Sequence, residues 1–565
     1  MSDMTDTAAP LFNLSTVFQG IAEAIPDVPL LTWRGRHHTY REVDVRADGI
    51  AHYLTSVGMG CQRERSELQN HESGQDHLAL YLLNGNEYIE AMIGAYRARV
   101  APFNCSYRYV EAELIHMLTD SRATGIVYHA RFAPVLASVR DQLPDLRVLI
   151  QVADESGNDL LPGAVDYESI VTTPAPGAQR AGRLDTEPAT GMPTPSGEDL
   201  YLLYTGGTTG MPKGVMWRQH DIFVSSMGGR PFGSETAYPS IDAIADVARA
   251  AAGNIASMLL APLIHGAAQW ALFNIMTMGG RIIMPDTVDT LRPDEVLRLV
   301  EAEKVFNLPV VGDAMARPLI DEIERGDYDL SSLSMVSNGG ANVSHGVRER
   351  FRAAIPGVLI LNVLGSSEGG LQMTAAADAD DAPTFAPQSD TAVLADDLDR
   401  VLAPGEGEGW LGRSGLVPLG YLGDPAKTAR TFPTIDGVRW SVPGDRAVVL
   451  DEGHIQVLGR SSAMINSGGE KVFAEEVERA VLTHPGVADV VVVGRPSERW
   501  GSEVVAIIAL VDGADPSDEE LDAACREHIA GYKVPKEFIR TSALSRSPAG
   551  KIDLRWAKSI AAKTA

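Results

Sequence analysis

Eleven residues, Tyr204 to Gly214 ("YTGGTTGMPKG"), hold four glycines, three threonines and one lysine. Glycines let a backbone turn tightly and approach a ligand closely. Threonine hydroxyls donate hydrogen bonds, and the Lys213 ammonium is a compact positive charge. Together they describe a loop that wraps anionic oxygens. The Walker phosphate loop needs Ser or Thr directly after its lysine. Here Gly214 follows Lys213, so that pattern fails. The plain alternative is a glycine-rich turn between two strands, since the run follows the apolar "LYLLY". Other chemistry-bearing residues stand alone in short motifs: His265 in "APLIHG", Glu368 in "LGSSEGG", Asp445 in "VPGD" and Lys551 in "SPAGKIDLR". Taken singly, each has a structural reading. His265 reads as a core histidine, Glu368 as a helix-start acid, Asp445 as a turn residue and Lys551 as a solvated lysine.

The elements that must position these residues alternate along the chain. "LALYLL" precedes the helical pattern "NEYIEAMIGAYRARV", and "TGIVYH" precedes "APVLASVRDQL". "RVLIQV", "IASMLL", "GRIIMP", "VFNLPVV", "SMVSNGG" and "VLILNVLG" follow as further apolar runs. This alternation predicts α/β layers with largely parallel sheets. Thr172–Asp199 is rich in Pro, Gly and Thr and reads as a loop. After Gly459 the character changes to a small α+β pattern: "AEEVERAVLTH", "ADVVVVG", "EVVAIIALV" and "DEELDAACREHIA". The predicted boundary lies in "LGRSS", giving a large domain over 1–459 and a small one over 460–565.

The chain has 565 residues, 45% hydrophobic and 22% charged, with a formal net charge of -27. That balance argues against a nucleic-acid partner, which needs basic surface. Three cysteines, Cys61, Cys105 and Cys525, form no disulfide or zinc pattern, which fits a reducing, cytoplasmic setting. Ala250–Gly280 contains no Lys, Arg, Asp or Glu, but Asn254, Pro262, His265, Gln269 and Asn274 interrupt it. It reads as buried core plus the wall of a site, with no membrane span.

The motifs form an ordered set. "YTGGTTGMPKG", "APLIHG", "SNGGANVS", "LGSSEGG", "VPGDRAVVLDEGHIQVLGR", "INSGGEKVFAEEVE" and "SPAGKIDLR" resemble those of the adenylate-forming superfamily, across roughly residues 12–560. The closest likeness is to bacterial fatty-acid and steroid side-chain CoA ligases. The resemblance implies a large α/β domain and a small α+β domain that rotates between two half-reactions about a hinge at Ser462. It implies ATP, Mg²⁺ and coenzyme A as cofactors. Thr205, Gly206, Gly207, Thr208, Thr209 and Lys213 would hold the β- and γ-phosphates. Gly339, Gly340 and Ala341 would lie against adenine, with Leu364, Gly365, Ser366 and Ser367 on the same nucleotide. Leu364 stands where an aromatic residue is common, so apolar contact remains and stacking is lost. Asp445 would take the ribose hydroxyls, Arg460 ribose and phosphate, and Glu368 the metal. Lys551 would bridge carboxylate and α-phosphate as a catalytic residue, together with Thr209 and His265. For His265, a role beside the acyl carboxylate and a plain core role both stay open. Ser467, Gly468, Gly469, Lys471 and, in "GYKVPKEF", Lys533 would line the coenzyme A channel.

The expected function is therefore an acyl-CoA synthetase for a hydrophobic carboxylic acid. Met258, Leu259, Leu260, Trp270, Leu272, Phe273 and Met276 supply an apolar wall without a charged partner. The alternatives are an enzyme that loads a carrier-protein thiol and a non-catalytic nucleotide-binding regulator. Assembly is left open, with a homodimer among the alternatives.

Overall fold

The computed structural model describes residues 11–172, 192–205, 212–340, 343–376, 384–386, 388–460, 464–467, 470–497, 501–546 and 552–563. By compactness the chain divides into two units, residues 1–289 with 416–430, and residues 290–415 with 431–565.

The first unit is built on the sheet that carries the glycine-rich loop. Its strands are β1 (His77–Tyr81), β2 (Ala101–Asn104), β3 (Ala123–His129), β4 (Val148–Val152), β5 (Ala164–Asp166), β6 (Leu200–Thr205) and β7 (Lys213–Arg218). Their spatial order is β7-β6-β2-β1-β3-β4-β5, and the two-residue strand Gly420–Tyr421 closes the β7 edge. All pairs are parallel except β6–β7 and the closing pair. Parallel strands are covered on both faces, which is why β1 is apolar without alternation and buried throughout.

Helix α1 (Asn86–Arg97) follows β1 and is buried on every side. By spacing, Tyr88, Met92 and Ala95 share one face, with Ile89 and Ile93 beside them. The charge hidden on another is Glu90, which accepts hydrogen bonds from Arg46 Nε at 2.8 Å and the Tyr167 hydroxyl at 2.6 Å. Helix α2 spans Glu111–Asp120. A second sheet in this unit orders Arg36–Thr39, Pro29–Trp33, Arg281–Ile283 and Ala256–Met258. The uncharged stretch 250–280 becomes the last of these strands, a loop, and helix α3 (Gly266–Thr277). Among the described residues no helix is long and apolar enough to cross a membrane. Helix α3 starts against β6, where a Cβ on Gly266 would stand 2.6 Å from Leu203 Cδ2.

In the second unit, Asn307–Val310, β8 (Met335–Gly339) and β9 (Leu359–Ser366) are parallel, and β10 (Gly370–Ala376) returns antiparallel to β9. An antiparallel sheet holds β11 (Asp445–Val449) and β12 (Ile455–Arg460). The expected boundary segment "LGRSS" thus begins inside β12. After it come α4 (Ala474–Val481), β13 (Val487–Ser497), β14 (Gly501–Leu510), α5 (Asp518–Arg526), β15 (Glu537–Thr541) and α6 (Leu554–Lys563). Strands β13 and β14 form a hairpin, and β15 adds parallel to β14. Val490, Val492, Val504 and Ala506 face one core with Val477 and Leu521, while Val491, Val493, Val505 and Ile507 face Ala557 and Ala561. Helices on both faces explain the unbroken valine run. Helix α5 ends four residues before its apolar pattern does. It begins at a capping box in which Ser517 and Glu520 satisfy each other's backbone amides.

Candidate active site

The glycine-rich stretch is indeed a connection between two strands. Thr205 ends β6, Lys213 begins β7, and the two stand opposite each other in the ladder at the mouth of the loop. Gly206, Gly207, Thr208 and Thr209 lie outside the described residues. Gly214 serves packing, because a Cβ there would meet the Tyr204 ring at 2.8 Å. The Tyr204 hydroxyl donates to Asp120 Oδ2 at 2.9 Å, and Lys213 Nζ lies 3.7 Å from Asp120 Oδ1. Burial, then the Asp120 carboxylate, push the Tyr204 phenol far up, so it remains a donor. Asp120 therefore holds the lysine's charge at the base of the loop. The sequence reading missed it, since a helix-end aspartate carries no motif.

His265 is the N-cap residue of α3 and is half-buried. Three carboxamides hold the loop before it; Asn84 and Asn104 carried no sequence signal, and Gln269 stood out only as a polar break in the uncharged stretch. Asn84 Oδ1 accepts from Leu263 N at 2.7 Å, and its Nδ2 donates to Ala261 O at 3.2 Å. Gln269 Nε2 donates to Leu263 O at 2.7 Å. Asn104 Nδ2 donates to Ile264 O at 2.7 Å. The expected apolar wall is largely core: Met258, Leu259, Trp270, Leu272, Phe273 and Met276 are all buried. The side of α3 left more accessible carries Ala267 and Ala271.

In the second unit, Gly339 ends β8 beside Val363 of β9. Gly340 adopts φ +83°, a left-handed conformation that glycine accepts without strain. Ala341 lies outside the described residues. At the end of β9, Leu364 packs on a core cluster with Met373 and Phe385. A Cβ on Gly365 would meet Gly370 O at 2.7 Å. Ser366 closes the turn, its Oγ accepting from Gly369 N at 2.9 Å. Ser367 and Glu368 stand half-buried at the tip of this β9–β10 turn. Two residues that no motif flagged fix the tip. Ser441 Oγ donates to Glu368 O at 2.6 Å. Arg413 Nη1 donates to Gly369 O at 2.7 Å and Leu371 O at 2.6 Å, and its Nη2 donates to Asp390 at 2.9 Å.

Asp445 begins β11 and pairs in register with Arg460 at the end of β12, so the two expected ribose ligands share one rung. "INSGGEK" forms a tight hairpin: Ser467 pairs with Glu470, and Asn466 with Lys471. Gly468 and Gly469 in its turn lie outside the described residues, as do Ser462 and Lys551. Lys533 Nζ sits 2.6 Å from Glu476 Oε1, so its ammonium is held by α4. Among the described residues no group of three or more His, Cys, Asp or Glu side chains could hold a metal ion. A single protein carboxylate, that of Glu368, still suits Mg²⁺, which keeps several waters and takes substrate phosphate oxygens.

The family model described as "AMP-binding enzyme" matches residues 18–422, and that described as "AMP-binding enzyme C-terminal domain" matches 476–551. The medium-chain acyl-CoA ligase Mig of Mycobacterium avium is 51% identical, covering 98% of this chain and 99% of its own. A 3-oxocholest-4-en-26-oate–CoA ligase of Rhodococcus rhodochrous is 36% identical over 97% and 95% of the two chains. The anthranilate CoA ligase AuaEII, solved with anthranoyl-AMP, superposes with a TM-score of 0.77 at 20% identity over 99% of each chain. That structural likeness concerns the fold, a large N-terminal α/β domain followed by a small C-terminal one. With a family model matching more than half its length, and a relative at 51% identity end to end, this chain belongs to the AMP-binding, adenylate-forming enzymes.

Proposed function

We propose that this protein is an AMP-forming acyl-CoA synthetase for hydrophobic carboxylic acids, with medium-chain fatty acids as its principal substrates. A carboxylate oxygen attacks the α-phosphorus of ATP, the bond to the β-phosphate oxygen breaks, and pyrophosphate leaves. The sulfur of coenzyme A then attacks the acyl carbonyl and AMP departs. The first step brings two anions together, so positive charge and donors must be aimed at the meeting point. Thr205 and Lys213 at the loop mouth hold the β- and γ-phosphates. Gly339 and Gly340 lie against adenine, and the β9–β10 turn offers a further nucleotide-side surface. Asp445 takes the ribose hydroxyls and Lys551 the bridging oxygens. Glu368 would hold Mg²⁺, which supplies charge neutralisation on the phosphates. Residues 460–565 move about Ser462 between the half-reactions, bringing Ser467, the following glycines and Lys471 to the coenzyme A side. For Lys533, release from Glu476 is a condition of such contact. The cysteine pattern supports a reducing, cytoplasmic setting.

The observation that carries this reading is the pairing of Thr205 with Lys213 across the mouth of the glycine-threonine loop. The relative that is 51% identical is named a medium-chain ligase, which favours that acid class. Pyrophosphate release and acyl-CoA formation should be measured with acetate, octanoate, palmitate, an amino acid and a steroid side-chain acid. Octanoate is expected to give the highest kcat/KM. Each methylene buried up to the pocket's limit adds about 0.8 kcal/mol, roughly fourfold. Acetate or the amino acid outperforming octanoate would sink the proposal. The relatives named for a steroid acid make that acid the second reading, favoured if it exceeds octanoate.

A further inference from the structure

We propose that Asn104 is a positioning residue that locks the nucleotide-side strand and the acyl-side loop into one register. It is the last residue of β2, which pairs with β6 through Phe103 and Leu202. Beyond that rung the Asn104 side chain takes the place of a strand. Its Oδ1 accepts from Tyr204 N at 2.8 Å, and its Nδ2 donates to Tyr204 O at 2.7 Å. These are the N–H and C=O of one residue, the two backbone groups that a neighbouring strand would engage. The second Nδ2 hydrogen goes to Ile264 O at 2.7 Å. A carboxamide has two donor hydrogens and one acceptor oxygen, and all are used here. The residue is only 7% exposed.

Tyr204 immediately precedes Thr205, and Ile264 immediately precedes His265. One planar group, with no rotatable bond between its oxygen and nitrogen, therefore joins the residues before the phosphate-loop threonine and the α3 N-cap histidine. Asn84, three residues beyond the end of β1, binds the acyl-side loop through Ala261 and Leu263, and among the described residues its side chain makes no bond to β6. The two asparagines thus differ in a way that kinetics can separate. Carboxylate attack on the α-phosphorus needs both sides in contact geometry, and small misplacement there costs rate steeply. Thiol attack on a finished acyl adenylate needs no phosphate loop.

This inference rests on the acyl-CoA synthetase reading. Adenylation should be followed as pyrophosphate release with ATP and octanoate. Thioester formation should be followed separately from supplied octanoyl adenylate and coenzyme A. The full-length chain is used, as wild type, Asn104→Ala, Asn104→Asp and Asn84→Ala. Asn104→Asp keeps the acceptor for Tyr204 N and loses both donated bonds. Both Asn104 variants should lose at least about tenfold in adenylation kcat, with thioester formation within about threefold of wild type. Asn84→Ala should mainly raise the octanoate KM, leaving the ATP KM little changed. Equal losses in both half-reactions, or an adenylation kcat within about twofold of wild type, would overturn the assignment. So would loss of folding in both Asn104 variants, which would make the residue one of stability alone. A wild type that releases no pyrophosphate with octanoate or any other acid would instead overturn the functional reading, and the coupling with it.

Discussion

At the scale of single residues, the expected roles separate by half-reaction. Lys551→Ala should cut adenylation by at least about a hundredfold, because it removes a charge aimed at the transition state. The same variant should still form thioester from supplied acyl adenylate, and equal loss in both assays would remove the lysine from the first step. Glu368→Gln should raise the Mg²⁺ concentration needed for half-maximal pyrophosphate release. Asp445→Ala should raise the ATP KM through lost ribose contacts, and an unchanged KM would rule that role out. These residues could be nominated because each sits in a motif whose order along the chain is itself a signal; Lys551 itself lies outside the described residues. Asp120, Asn104, Asn84, Ser441 and Arg413 were not legible. Each acts through a backbone atom or a single ion pair far away in sequence, and no local spacing encodes such a partner. The division of the apolar stretch between core and wall was not legible for a related reason. Leu272, Phe273 and Met276 are apolar because they pack in the core, and composition cannot tell a core face from a pocket face.

Elements carry the next level. The turn that presents Glu368 is held by Arg413 as well as by its own glycines; Arg413 is 2% exposed and ties two carbonyls of that turn to Asp390. Arg413→Ala leaves the Asp390 carboxylate without this partner and should cost about 3–5 kcal/mol in denaturant unfolding. Arg413→Lys should recover little, since a point charge cannot serve three acceptors as a planar fork does. A lysine variant of wild-type stability would show that charge alone suffices. Strand and helix types followed from apolar runs and periodicity, so the α/β layers and the α+β tail were readable. Helix ends were less so. The "DEELDAACREHIA" pattern runs to Ala530 while α5 stops at Arg526, because apolar spacing continues into the turn that follows. For α1, one face was marked by periodicity, yet all faces are buried. The sequence cannot announce that Glu90 meets Arg46 and Tyr167 from other elements.

For the molecule as a whole, stability depends on pH through buried acids. Burial raises the Glu87 carboxyl to about 7, the Glu90 charge adding to the effect and Arg46 opposing it. A folded-state value above the unfolded one means that the native state binds more protons between about pH 4.5 and 7. The neutral Glu87 is therefore tolerated at low pH, and its stability contribution is lost as pH rises through 7. The full loss is on the order of 3 kcal/mol. Glu478, also raised to about 7 by burial, acts in the same direction. His129, depressed to about 4 by burial, acts oppositely over pH 4 to 6.5, so the net slope alone is a poor test. The clean comparison is the Tm of Glu87→Gln minus that of wild type. It should become more positive from pH 5 to pH 8, and a constant difference would mean that Glu87 does not titrate in this range.

The chain builds its first unit in two instalments, returning at residues 416–430 after starting the second. Strand β7, which leaves the glycine-rich loop, receives its outer neighbour Gly420–Tyr421 only then. During synthesis some 200 residues separate the two, or about 10–40 s at ordinary translation rates. For that interval the backbone groups along one side of β7 have no strand of this chain to pair with. A nascent chain stalled before residue 420 would present an open sheet edge, the template on which misassembly begins. The segment that completes the first unit is thus also the one that closes this open edge.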